Sequence, residues 1–164
     1  MDNARLQKPT AYVICGFIGA GKTTFAKKLE KETGAIRITK DEWIAKIFGN
    51  KITSDNKFAE YDKNITQLAK HIAFKILKSG KDVILDEGFW TKSQRDDIKK
   101  KIIAMGAKPI LYYVEYPIEK MRERVINRSK ISPEDSFEID GEMFDSYVKY
   151  WEPPAEDEEF ILAK

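Results

Sequence analysis

Residues 16–24 read GFIGAGKTT and match G-x-x-x-x-G-K-[ST], with Gly16, Gly21, Lys22 and Thr23 at the fixed positions. The spacing has a physical basis. Glycines let the backbone wrap closely around a polyphosphate, so that successive N–H groups point inward. Lys22 would then reach the β- and γ-phosphates, and the Thr23 hydroxyl would take a place on Mg²⁺. The helix that follows turns the positive end of its dipole toward the same anion. All nine residues, Gly16, Phe17, Ile18, Gly19, Ala20, Gly21, Lys22, Thr23 and Thr24, are therefore expected to cradle a nucleoside triphosphate such as ATP.

The flanks agree with that reading. Ahead lies the apolar run 10–15, TAYVIC, suited to a buried parallel strand. Behind lies a helical stretch from Lys22 to Lys31 with Phe25, Ala26 and Leu29 on one face. At average glycine usage of about 7%, a chance match in a chain this long is on the order of one in a few hundred.

Outward from this point, apolar strand-like runs alternate with amphipathic helical runs, the signature of α/β architecture with a parallel sheet. Strands are predicted at 35–39, 83–86, 109–115 and 159–162, and helices at 41–48, 58–78, 93–105, 117–128 and 141–151. The inward faces are expected to include Leu68, Ile72 and Ile76 in the longest helix and Ile98, Ile102 and Ile103 in the next. Residues 52–57 and 129–140 lack a clear period and read as loops, the second as a short lid. The expectation is a three-layer α/β fold of about five parallel strands flanked by helices, with ligand at the carboxyl ends of the strands.

Composition sets the bounds. A length of 164 residues fits one domain, 1–164, with residues 1–9 a loosely ordered lead-in. Hydrophobic content of 42% and charged content of 34% fit a soluble globular protein, and no run approaches 18 consecutive apolar residues. The opening MDNARLQKP lacks the apolar region of a signal peptide. The single Cys15 reads as a small core residue and cannot pair within the chain. Without a disulfide framework, an ATP-type site points to the cytoplasm. A net charge of +2 gives no global basic field to attract nucleic acid.

Several polar residues stand just past predicted strand ends. Asp41 is placed to orient or deprotonate an acceptor hydroxyl, or to cap its helix. Asp86 ends VILD, the pattern of an aspartate that holds a metal-bound water or the acceptor. Its neighbour Glu87 is a second candidate for that role, less favoured because a neighbour in extended chain points the other way. Arg124 and Arg128, spaced i, i+4 before the lid, can swing onto a transferring phosphoryl group or simply favour a helix C-terminus. Arg95 is a candidate for an anionic group of the acceptor, or for a surface salt bridge. Trp43, Tyr61 and Trp90 can line an acceptor pocket or pack in the core. His71 reads as a boundary residue, and the acidic run 152–159 as a solvated connection.

With these positions laid out, the chain resembles the small P-loop kinases often grouped as AAA-type kinases, akin to phage polynucleotide kinase, chloramphenicol phosphotransferase and zeta toxins. The resemblance rests on GFIGAGKTT, DEWIAKIFG from Asp41, VILDEGFWTKSQR from Val83 to Arg95, RERVINR at Arg122–Arg128 and WEPPAEDEEF near the end. It implies that Asp41 is a general base, Asp86 a ligand of substrate or metal water, and Arg124 or Arg128 the lid arginine. Such kinases often carry an arginine three residues after that aspartate. Here the position is Ile44, with Lys46 the nearest cation, and a lysine does not replace a bidentate arginine. The expected activity is transfer of the γ-phosphoryl group of ATP, with Mg²⁺, to a hydroxyl of a small molecule or nucleotide. Two rivals are a 5′-hydroxyl polynucleotide kinase and a nucleotide-gated module or slow hydrolase without an acceptor.

Overall fold

The structure is a computed structural model that describes residues 8–131 and 137–163. Its centre is β1 (Thr10–Cys15), flanked by β3 (Val83–Gly88) and β4 (Lys108–Tyr113). The short strands β2 (Ile36–Ile38) and β5 (Ile161–Leu162) close the two edges, giving the order β2-β3-β1-β4-β5 with every pairing parallel.

Strand alternation sorts β1 onto two cores. Ala11, Val13 and Cys15 face one side of the sheet and Ile14 the other, all fully buried. Helices α3 (Phe58–Lys78) and α4 (Lys92–Ala104) cover the first side through Ala69, Ala73, Leu77, Ile98 and Ile102. Helices α1 (Lys22–Thr33), α5 (Ile118–Ile131) and α6 (Gly141–Val148) cover the second through Ala26, Leu29, Met121, Val125 and Phe144. The result is the expected three-layer α/β fold. Among the described residues no helix is long and apolar enough to cross a membrane.

Several expectations need correction. Leu68 and Ile103 are 53% and 60% exposed, because small alanines at i, i+4 spacing seat α3 closely and Arg95, Ile98 and Ile102 make the buried face of α4. The stretch expected as a loop from 52 begins inside a 3₁₀ turn, Asn50–Ser54, whose Ile52 is buried. The last strand is confined to Ile161–Leu162. Helix α6 ends at Val148, short of 151. Helix α5 runs on through Ile131, since nothing before Pro133 breaks it. Of the lid expected at 129–140, residues 132–136 lie outside the described residues. Of the lead-in 1–9, residues 1–7 likewise lie outside them. Pro9 is tied down, its carbonyl accepting from the Lys108 amide at 2.9 Å.

Candidate active site

The loop between β1 and α1 is anchored from below. Phe17 is fully buried, its ring 5.0 Å from Trp90, 5.2 Å from Phe144 and 5.6 Å from Trp151. Gly19 (φ +81°) approaches α5 so closely that a Cβ would lie 2.8 Å from the Met121 carbonyl and from Val125. Gly21 (φ +100°) occupies the cap of α1, and having no side chain it gives the first amides of that helix no capping bond. These amides stay open to an anion. The Lys22 ammonium folds back over the loop and donates to the Phe17 carbonyl at 2.8 Å.

A cavity of about 660 Å³ opens in front of this loop, within the usual range for small-molecule sites. It collects Gly19, Gly21, Lys22, Thr23 and Thr24 from the loop, Asp41 from α2 (Lys40–Phe48), Asp86 from β3, and Arg124 and Arg128 from α5. Residues far apart in sequence thus meet as expected. Asp41 lies in the first turn of α2, where Thr39 holds the cap position, and no side chain caps that helix. Helix capping therefore does not account for Asp41.

Glu87 corrects the expectation from strand alternation. The β1–β3 register shifts so that Ile14 pairs with Asp86 and Cys15 with Gly88, leaving Glu87 as an extra residue. Such a bulge breaks the period of two, and Asp86 and Glu87 both line the cavity. One buried oxygen of each, Oδ2 of Asp86 and Oε1 of Glu87, has no hydrogen-bond partner. Around them, Lys40 hydrogen-bonds Asp62 and lies 3.7 Å from Asp41.

Desolvation dominates the protonation equilibria. Burial pushes the Asp86 carboxyl up to about 6, against the pull of Lys22 and of the Thr23 hydroxyl that bonds it. Burial likewise raises Asp41, opposed by Lys40 and Lys22, and raises Glu87, opposed by Lys70 and Lys40. The Lys22 ammonium is depressed by burial, with Asp86 and Asp41 resisting. The Thr23 hydroxyl and the Asp86 carboxylate, whose Oδ2 lies 3.6 Å from the Arg37 guanidinium, stand beside Lys22 as hard-oxygen donors of the kind that fit a divalent cation.

Sequence reasoning missed Arg37. It sits in β2, bonds Glu42 through two nitrogens at 3.0 and 3.3 Å, and reaches Asp86 Oδ2 at 3.6 Å. A charged residue inside the apolar run AIRIT was the available signal.

Arg95 requires the opposite correction, because it does not face the cavity. It is fully buried and bonds Glu158 through two nitrogens, both at 2.7 Å. Its third nitrogen donates to the carbonyls of Phe89 (3.0 Å), Trp90 (3.2 Å) and Glu152 (2.8 Å). The guanidinium thus pins the turn after β3, where Phe89 holds a left-handed φ of 45°. It also pins the C-terminal segment, so Glu158 is not part of a solvated connection. Trp90 lines the cavity, whereas Trp43 packs on the core and Tyr61 stacks on Phe48. His71 is exposed. Arg124 lies over the Tyr116 ring at 3.7 Å and donates weakly to the Gly19 carbonyl at 3.5 Å.

The family model described as AAA domain matches residues 12–154. Comparison with curated proteins finds no match. Among solved structures the chain is similar to a candidate kinase from Chloroflexus aurantiacus J-10-fl, with a TM-score of 0.72 at 18% identity, covering 95% of this chain and 86% of that one. It is similar to a chain of the Pnkp1/Rnl/Hen1 RNA repair complex, with a TM-score of 0.71 at 21% identity. That match covers 90% of this chain but 45% of the other, so this chain spans less than half of it. A third is Kti12 of Chaetomium thermophilum in complex with ADP-AlF3, with a TM-score of 0.67 at 19% identity, covering 93% and 87%. At these identities the likeness is one of fold.

Proposed function

Because the chain belongs to the AAA domain family of small P-loop kinase-like proteins, we propose that it transfers the γ-phosphoryl group of ATP to a hydroxyl of a small molecule or nucleotide. The observation that carries this is the single cavity in which Lys22 of the phosphate loop and the carboxylates Asp41 and Asp86 converge. Asp86 with Thr23 would serve any Mg²⁺-dependent P-loop enzyme, so the residue on which phosphotransfer turns is Asp41, which stands in the same cavity to aim an acceptor hydroxyl at the phosphorus.

In this reading the loop from Gly16 to Thr24 holds the triphosphate through the first amides of α1 and the Lys22 ammonium, the Gly16 and Ala20 amides being taken up by the carbonyls of Gly88 and Phe17. Thr23 and Asp86 would hold Mg²⁺, which when bound neutralises charge between the β- and γ-phosphates. Asp41 accepts the acceptor's hydroxyl proton as the new P–O bond forms and the bond to the β-phosphate oxygen breaks, releasing ADP. The raised proton affinity of Asp41 suits that task. Arg124 and Arg128, on the face of α5 turned to the cavity, supply positive charge to the transferring group. The described residues act as one unit, in the cytoplasm.

The test is transfer from γ-labelled ATP to an acceptor panel. Asp41→Asn should lower turnover by about 10²–10⁴-fold, the range for general base catalysis, while nucleotide affinity is retained. Turnover like that of the wild type in Asp41→Asn overturns the base assignment. Label passing to water alone overturns phosphotransfer in favour of a slow hydrolase.

A further inference from the structure

We infer that Arg37 and Asp62 are positioning residues for Asp41: its two neighbours on α2, Glu42 and Lys40, tie the first turn of that helix to Arg37 of β2 on one flank and to Asp62 of α3 on the other. This rests on the reading of Asp41 as the group that aims the acceptor.

The start of α2 needs such ties. The helix has nine residues, too few to be stable by itself. Thr39 holds the cap position without a side-chain bond, and the Trp43 amide reaches the Thr39 carbonyl only at 3.3 Å. Buried Ile44 and Ala45 anchor the middle of α2 by packing. The three residues ahead of Trp43 are all charged, so charge must place them.

Successive residues of a helix point about 100° apart, so Lys40 and Glu42 leave α2 on nearly opposite sides with Asp41 between them. Each finds a partner. Arg37, its side chain 11% exposed, bonds both carboxylate oxygens of Glu42 at 3.0 and 3.3 Å. Lys27 of α1 adds a second cation, 3.6 Å from the same carboxylate. Lys40, 12% exposed, bonds Asp62 and lies 3.7 Å from Asp41 itself. A forked guanidinium–carboxylate pair fixes direction as well as distance.

Arg37 is held in turn by the frame of the fold. It lies opposite Ile84 of β3 in the sheet, and its Nε donates to Glu30 of α1 at 3.2 Å. Helix α1 begins at the phosphate loop, so the chain Glu30–Arg37–Glu42 sets the helix of Asp41 against the helix that would meet the nucleotide. Asp86 does not engage Arg37 in the same way. Its Oδ2 lies 3.6 Å away and accepts no hydrogen bond, whereas the hydrogen bonds of Arg37 go to Glu30 and Glu42. Neither Arg37 nor Glu42 lines the cavity. Both can still govern rate, because a reacting group misplaced by about 1 Å costs up to about 10²-fold.

Glu42→Gln tests the inference, since it breaks the forked pair and leaves the Arg37 cation beside Asp86. Native-state hydrogen exchange of the full chain should quicken about tenfold at the Trp43 and Ile44 amides, the effect of one charged hydrogen bond, and stay unchanged at Ala69 and Ala73 of α3. With γ-labelled ATP and Mg²⁺, label being counted in every product including inorganic phosphate, kcat should fall about 10- to 10²-fold at unchanged KM for ATP. In the Asp41→Asn background Glu42→Gln should lower kcat no further, because no base is left to misplace; a merely structural loss would add in full. Asp62→Asn should act alike from the other flank, and it takes the place of Glu42→Gln if that variant fails to fold. Unchanged exchange in α2, exchange quickened alike throughout the chain, or a full further loss of kcat in the Asp41→Asn background overturns the inference. If Asp41→Asn turns over like the wild type while Glu42→Gln loosens α2 alone, the ties stand as what places Asp41, and the base reading alone fails.

Discussion

The two ends of the cavity are built in opposite ways. The phosphate end is local: nine consecutive residues, most of their chemistry in backbone amides, held by one buried phenylalanine and two left-handed glycines. The end proposed to take an acceptor is assembled from side chains of α2, α3, β3 and α6, placed by packing that spans most of the chain. The difference teaches where specificity can change. Backbone amides tolerate little variation around a triphosphate, whereas a wall of separate side chains can be exchanged residue by residue without disturbing the cradle.

The sharpest way to break that division is at the phosphate end. Lys22→Ala should cut turnover by about 10³-fold or more, because it removes a cation from where charge develops in the transition state. It should also weaken ATP binding. Labelled-ATP kinetics and calorimetry on the same preparation check both halves. Unchanged ATP affinity would mean that Lys22, bonded to the Phe17 carbonyl, props the loop rather than meeting phosphate.

The same division explains what was legible in the sequence. The cradle and its flanking strand and helix could be read directly, since every relevant interaction lies within a few residues. Asp41 and Asp86 were legible because strand ends locate a site in such sheets. Glu87 was not, because a bulge depends on pairing with β1, about seventy residues away, which alternation within β3 cannot reveal. Arg95 misled for a similar reason. Its partner Glu158 is 63 positions on, in a run that by composition belongs in solvent. Arg37 was obscured by the apolar residues around it, and its ties to Glu42 and Asp86 appear only once β2 lies beside β3.

Arg95 and Glu158 support the acceptor end from behind, and breaking them should expose its dependence on distant packing. Removing one partner of a buried ion pair strands the other charge, so Arg95→Leu should cost about 3–5 kcal/mol of stability. Arg95→Leu combined with Glu158→Leu should recover much of that loss, since no buried charge is then left unpaired. Urea denaturation of the two variants measures the contrast. If the double variant is no more stable than the single one, the carbonyl bonds to Phe89, Trp90 and Glu152 matter more than the ion pair.

The smallest effect is expected where the two ends meet. Asp86 has its carboxyl at about 6 in the folded chain against an ordinary value of 3.8. The folded state therefore binds the extra proton between those values. Stability is greatest below the lower value and falls as pH rises through the upper one, by about 3 kcal/mol in all. Asp86→Asn removes this decline, so without ligand the variant should gain on the wild type from about pH 4 to about pH 7. Thermal unfolding across that range checks the sign, and parallel curves would refute the desolvation argument. Nucleotide with Mg²⁺ should close the gap from the wild-type side, because a cation on the Asp86 carboxylate turns the buried charge from a cost into a ligand contact. A residue that weakens the empty fold and strengthens the loaded one is held in place by the ligand, which is how the boundary between a fixed cradle and an exchangeable wall would be expected to behave.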